Sequence, residues 1–175
     1  MLKGNQSEIL SCIAATGTDS ASAPQQRGVD SGPGDSDIQK LGAAIRGLAT
    51  LRKNIVVMTG KTDYVTDGNV VLAIDNGHEY LGMVTGTGCC LGTTISAYIS
   101  AASGGSNNNN RLTAVVAALL HYNIAAEIAA ERITVEGPGT FVPAFLDELH
   151  SVRKATVRGA LSWLSRAKVT ILPAS

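Results

Sequence analysis

The sequence predicts an α/β domain with a mostly parallel sheet and helices on both faces. Three observations lead there. Short apolar, β-branched runs alternate with longer segments of helical period. One hairpin signal, Asp67-Gly68 between two strand-like runs, interrupts that alternation. A glycine-rich turn, Val84-Thr85-Gly86-Thr87-Gly88-Cys89, then opens an apolar helical segment. Ligands in such folds bind beyond the carboxyl ends of strands.

Taken in order, Met1-Leu2-Lys3-Gly4 reads as the end of a strand. Asn5 is a helix N-cap with Glu8 three residues on, and the helix runs to about Ala15. Thr16 to Gly34 is a Gly-, Ser-, Asp- and Pro-rich loop of unusual length that holds Arg27-Gly28-Val29-Asp30-Ser31. Asp35 or Ser36 caps the next helix, where Ile38, Leu41, Ile45 and Leu48 mark one buried face. Asn54 to Met58 is a buried parallel strand that ends at Thr59-Gly60. Thr62–Thr66 and Asn69–Ile74 flank the hairpin turn, and Leu81 to Val84 leads into a helix from Cys89 to Ala102. Ser103 to Asn110 is a polar loop with four asparagines in a row. Arg111 to Glu131 is helical and apolar nearly all round, which requires burial on more than one side. Gly137-Pro138-Gly139-Thr140 breaks the chain, and Thr140 caps a helix to about His150. From Ser151 on, Arg153, Lys154, Arg158, Arg166 and Lys168 occur without an acid, so the tail reads as a peripheral appendage with a solvated basic face.

Composition excludes several functions. The chain has 175 residues, and its 14 basic and 14 acidic side chains leave no global field for nucleic acid or a membrane surface. Aromatics at 4% do not make a stacking platform for single strands. Cys12, Cys89 and Cys90 are an odd, partly adjacent set that suits a reducing compartment better than a disulfide framework. No signal pattern, metal-ligand spacing or apolar run of about 18 residues is visible. The reading is a soluble, cytoplasmic protein without nucleic-acid or membrane partners.

The chemistry-bearing candidates lie at element ends. Gly86 and Gly88 let the backbone turn and approach a ligand. The helix start beyond them presents unpaired N–H groups and the positive end of the helix dipole, a site for an anion such as phosphate. Cys89 lies at its mouth, and its other reading is a small buried core thiol. Cys90 reads as core. Asn5 and Glu8 on spacing alone are a capping pair, Thr59-Gly60 a strand end, and Asp30 and Asp63 turn or loop residues. His78, His121 and His150 have surface or packing roles. Gly4-Asn5, Thr59-Gly60 and Gly86 to Cys89 are all read at strand ends, so they can converge on one crevice.

Five stretches in order carry a resemblance: Lys3-Gly4-Asn5-Gln6-Ser7-Glu8-Ile9, Gly28-Val29-Asp30-Ser31, Val57 to Gly68 (VMTGKTDYVTDG), Val84-Thr85-Gly86-Thr87-Gly88-Cys89 and Gly137-Pro138-Gly139-Thr140-Phe141. Together they resemble hydroxyethylthiazole kinase, a ribokinase-like enzyme of thiamine biosynthesis and salvage, and the kinase half of the bifunctional proteins that join it to thiamine-phosphate synthase. The Cys after Gly-Thr-Gly is telling, since wider ribokinase-like kinases usually carry Asp there. The resemblance implies a three-layer ribokinase-like fold, with ATP and Mg2+ used to phosphorylate the hydroxyl of 4-methyl-5-(2-hydroxyethyl)thiazole. It also implies a homotrimer with sites at subunit contacts. By position, Lys3 matches a basic residue that contacts ATP, often Arg in the family. Asn5 and Glu8 match the motif that holds Mg2+ and its waters. Thr59, with Gly60, matches an ATP contact, and Thr87 and Gly88 belong to the nucleotide-binding turn. Gly86 matches a glycine that touches the thiazole alcohol, and Cys89 occupies the catalytic position. Lys61 departs from the pattern, since the family commonly has Glu there.

The resemblance covers residues 1 to about 151 as the C-terminal portion of a kinase domain, with 152–175 as a basic appendage. It implies that the family's N-terminal part, which supplies much of the thiazole pocket, is missing. The alternative to an active kinase is an inactive fragment that serves only in oligomerisation or nucleotide binding.

Overall fold

The computed structural model describes residues 1–16, 35–102 and 109–173. The loop expected from Thr16 to Gly34, with Asp30 in it, lies outside the described residues beyond Thr16, as do residues 103–108 of the asparagine-rich loop and the side chains of Asp35 and Ser36. The chain divides into two compact units, Met1–Ala73 with the last strand, and Ile74–Lys168.

The first unit is built on a five-stranded sheet in the order β1 (Leu2–Asn5), β2 (Val56–Thr59), β3 (Asp63–Thr66), β4 (Val71–Ile74) and β5 (Val169–Leu172). β1 pairs parallel with β2 and places Asn5 opposite Thr59. β2 pairs antiparallel with β3, and the short link between β3 and β4 is too brief for a parallel crossover. The sheet is therefore mixed rather than mostly parallel, because two tight turns in succession reverse the chain. At the second of these, Gly68 takes φ +98° and lies so close to Thr50 that a Cβ would meet its hydroxyl at 2.8 Å. α1 (Gln6–Ala14) and α2 (Asp35–Arg52) cover this unit's core. Leu41, Ile45 and Leu48 pack with Ile9, Ile13, Val56, Met58 and Tyr64, while Ile38 lies partly buried beside them, so the period read from the sequence holds. Asp63 is not a loop residue. It opens β3, is buried, and accepts a bond from the Gly60 amide at 3.1 Å.

The second unit is helical: α3 (Tyr80–Met83), α4 (Thr87–Ala102), α5 (Asn109–Ala130), α6 (Pro138–Val157) and a 3-10 turn over Ser162–Arg166. α5 packs against both α4 and α6, and every residue from Ala118 to Ala126 is buried. By length and composition Arg111–Ala130 is apolar enough to cross a membrane, contrary to the expectation that no run is. However, 67% of that window is buried within the protein, as in a core helix. Leu81 to Val84, read as an apolar lead-in at a strand end, is instead mostly the short helix α3. Its turn is closed by Leu81 N–H to His78 C=O and Gly82 N–H to Glu79 C=O.

The last helix runs past its expected end at His150. Its stop is a Schellman motif. Gly159 has φ +77°, its N–H bonds Thr156 C=O at 3.0 Å, and Ala160 N–H reaches back to Ala155 C=O at 2.9 Å. At the other end Pro138 is the first helical residue, and Thr140 acts from inside the first turn by accepting from Glu136 N–H. The tail expected as an appendage supplies β5, with Leu172 packed on the core of the first unit. Arg166 forms a two-pronged ion pair with Glu131 at 2.7 and 2.8 Å. Asn76, buried, donates to Arg166 C=O and to Glu127, and accepts from Lys168 N–H. The tail's two last basic residues thus meet acids on and just beyond α5.

His121, also buried, joins three elements of the second unit. Its Nε2 lies 2.9 Å from Leu149 C=O and its Nδ1 2.7 Å from the Tyr98 hydroxyl. A carbonyl can only accept, so Nε2 carries the hydrogen and the Tyr98 hydroxyl donates to Nδ1. Trp163 lies against the same ring. Burial lowers the imidazole's pKa, against the opposing pull of the Leu149 carbonyl. Above about pH 6.5 both folded and unfolded states hold a neutral ring. As pH falls below that, the unfolded chain takes up a proton that the native site resists, and stability drops. The chain should lose stability between pH 7 and pH 5, and His121→Gln should flatten part of that slope in urea unfolding. Parallel slopes for the two proteins would refute this role.

Candidate functional site

In the first unit the site residues gather at the carboxyl end of β1. Asn5 caps α1 with a complete capping box. Its Oδ1 accepts from Glu8 N–H at 2.9 Å, and its own N–H donates to Glu8 Oε2 at 2.7 Å. The Ser7 hydroxyl donates to the same Oδ1 at 2.8 Å. Glu8 folds back so tightly that a Cβ on Gly4 would lie 2.9 Å from its carboxylate oxygen. Asn5 and Glu8 remain exposed, while Lys3 is half-buried. Thr59, across the parallel pair from Asn5, donates to Gly4 C=O at 3.3 Å. The Gly60 amide is held by Asp63, and Lys61 is exposed. The structure therefore brings Asn5, Glu8 and Thr59 together at one end of the β1–β2 pair.

A single exposed carboxylate, with one oxygen in the capping bond and an amide beside it, suits Mg2+. That ion keeps several waters and takes only one or two protein carboxylates when phosphates share it. Among the described residues no cluster of three or more His, Cys, Asp or Glu forms a dedicated metal cage.

In the second unit Gly86 takes φ +100°, a conformation that L side chains rarely adopt. It turns the chain from α3 into α4, so this turn joins two helices and does not follow a strand as the sequence suggested. The first backbone bond inside α4 is Cys90 N–H to Gly86 C=O at 2.9 Å. The amides of Thr87, Gly88 and Cys89 precede that ladder. The Thr87 hydroxyl turns back to donate to Leu81 C=O at 2.7 Å and Val84 C=O at 3.0 Å, which leaves its main-chain N–H as the group that faces the helix start. Cys89 is exposed, which removes the reading of a core thiol, and Cys90 is half-buried.

Two supporting residues escaped the sequence reading. Tyr122, deep in α5, donates its hydroxyl to Thr87 C=O at 2.7 Å. Burial, with Cys90 beside it, pushes that phenol's pKa far up, so it stays a donor. No sequence signal links positions 35 residues apart. Asp63 carried a weak one, an acid three residues after a strand-ending glycine.

Residues 1–155 match the model of the hydroxyethylthiazole kinase family. The chain is 35% identical to a protein of Schizosaccharomyces pombe described as a probable thiamine biosynthetic bifunctional enzyme, over 97% of this chain and 31% of that protein. It is 35% identical to a hydroxyethylthiazole kinase of Staphylococcus aureus, over 89% of this chain and 53% of that one. Its fold resembles a solved hydroxyethylthiazole kinase protein from Pyrococcus horikoshii, with a TM-score of 0.68, 30% identity, and coverage of 98% of this chain and 54% of that one. The chain thus spans about half the length of the kinases it matches.

A Cβ on Gly86 would meet nothing within 4 Å, so Gly86→Ala tests the backbone alone. It should destabilise the protein by about 1–2 kcal/mol in urea unfolding. An unchanged midpoint would show that Gly86 is not held in the left-handed region.

Proposed function

The chain belongs to the hydroxyethylthiazole kinase family, and from that membership we propose that the protein transfers the terminal phosphoryl group of ATP to the hydroxyl of 4-methyl-5-(2-hydroxyethyl)thiazole, with Mg2+. The observation that carries the reading is the start of α4. There a left-handed Gly86 precedes three amides outside the helical ladder, with an exposed thiol on the first turn.

Phosphoryl transfer depends on positioning and charge stabilisation more than on covalent chemistry. The amides of Thr87, Gly88 and Cys89 stabilise negative charge on the transferring group. Cys89 accepts the alcohol proton as the alcohol oxygen bonds to the γ-phosphorus and the bond to the β-phosphate oxygen breaks, releasing ADP. Thiols become better proton acceptors at helix N-termini. Gly86, without a side chain, admits the alcohol. Lys3, Thr59 and Gly60 contact the nucleotide, and Asn5 and Glu8 would hold Mg2+. When bound, the ion neutralises charge on the phosphates. A homotrimer and a cytoplasmic location belong to the same proposal.

A carboxylate does the base's work more readily than a thiol. Cys89→Asp should keep or raise the rate of ADP formation with the thiazole alcohol, and Cys89→Ala should lower kcat about 100-fold. Equal rates for all three proteins would reject Cys89 as the base.

Glu8 has a structural and a chemical duty, and one substitution separates them. Gln at this position still accepts from the Asn5 amide, so the capping box survives in Glu8→Gln. The variant should fold with an unchanged melting temperature yet lose the Mg2+ dependence of ATP binding in calorimetry. Binding that keeps its Mg2+ dependence would remove Glu8 from the metal site.

A further inference from the structure

β2 and β3 are joined by three residues only, Gly60, Lys61 and Thr62. Their antiparallel register pairs Val56 with Thr66, Val57 with Val65 and Met58 with Tyr64, so one step further along it Thr59 stands opposite Asp63. On its other side Thr59 is paired with Asn5 of β1. Asn5, Thr59 and Asp63 thus form one row across three strands, at the end of the sheet where the candidate site lies. Residues opposite one another across a ladder share a face.

Asp63 is the odd member of that row. It is 5% exposed, and burying an acid costs free energy unless its oxygens are met. Asp is also depleted in strands. Its Oδ1 accepts from Gly60 N–H at 3.1 Å, a bond that runs back across the turn and ties its two ends. Glycine left to itself moves freely between backbone conformations, so this bond sets the Thr59–Gly60 peptide plane. Nothing local demands glycine at position 60. Its φ lies outside the left-handed region, and a Cβ there would meet only Thr62 C=O, at an ordinary 3.5 Å. What glycine does supply is a bare backbone that a ligand can approach closely. Its N–H is already taken. The Thr59 hydroxyl, by contrast, is held only loosely, since its 3.3 Å to Gly4 C=O is long for an O–H donor.

We propose that Asp63 is a positioning residue for nucleotide binding: its bond to Gly60 N–H holds the turn so that the Thr59 hydroxyl and the bare Cα of Gly60 both face ATP. Asp63 itself does not touch the nucleotide, and its role rests on the phosphoryl-transfer function proposed above.

The test joins calorimetry of ATP binding in the presence of Mg2+ with amide hydrogen exchange, both on the full chain. Asp63→Ala should weaken ATP binding about 10-fold. Asp63→Asn, whose carbonyl oxygen still reaches the Gly60 amide, should restore most of that loss. Exchange should quicken at Gly60 in the alanine variant, while Val57 and Val65 in the adjoining strands keep their protection. If Asp63→Ala fails to fold, Asp63→Ser decides the matter with the same expectations, because its hydroxyl stays polar but falls short of Gly60. Wild-type affinity in the alanine or serine variant overturns the proposal, as does exchange that quickens throughout β2 and β3, the mark of a merely structural residue. A wild-type chain that does not bind ATP would overturn the phosphoryl-transfer function itself, and the role of Asp63 with it.

Discussion

The start of α4 depends on one hydrogen bond from far along the chain. Tyr122, buried in the most enclosed helix of its unit, reaches out of α5 to hold the Thr87 carbonyl. Thr87 in turn ties its own hydroxyl into α3. These contacts fix both sides of Gly86, whose left-handed conformation a glycine adopts without strain. Without them the first amides of α4 would have no set direction, and an anion site made of backbone dipoles works only when those dipoles are held in advance. The apolar bulk of α5 is thus a structural requirement of the turn as well as a core.

The first unit solves a similar problem with fewer parts. A capping box satisfies the first amides of α1 through side chains three residues apart. It also leaves a carboxylate and an amide at the surface beside Thr59. The metal role proposed for Glu8 does not compete with the cap, because a carboxylate has more acceptor positions than the single bond to Asn5 uses. A residue that looks merely structural can therefore also be chemical.

The C-terminal residues illustrate how charge is read differently in a chain and in a fold. As a sequence they are basic and unpaired. In the structure Arg166 and Lys168 meet Glu131 and Glu127, while buried Asn76 satisfies the main chain around them. Surface pairs of this kind contribute little individually, whereas a buried amide with three partners specifies one path for the segment.

Local chemistry was legible from the sequence alone. The Asn5–Glu8 cap, the Asp67-Gly68 turn, the buried face of α2 and the apolar helix α5 each arise from neighbours within a few residues, where spacing fixes geometry. So was the family, through five short stretches in order. The tertiary structure decided what depends on distant partners: the mixed sheet, β5 as its fifth strand, α6 running on to Gly159, Leu81 to Val84 as a helical turn, and Tyr122 behind Thr87. The physical reason is range. Capping and periodicity act over one or two helical turns, but strand order and the support of the Gly86 turn come from contacts between residues tens of positions apart, which no local pattern records.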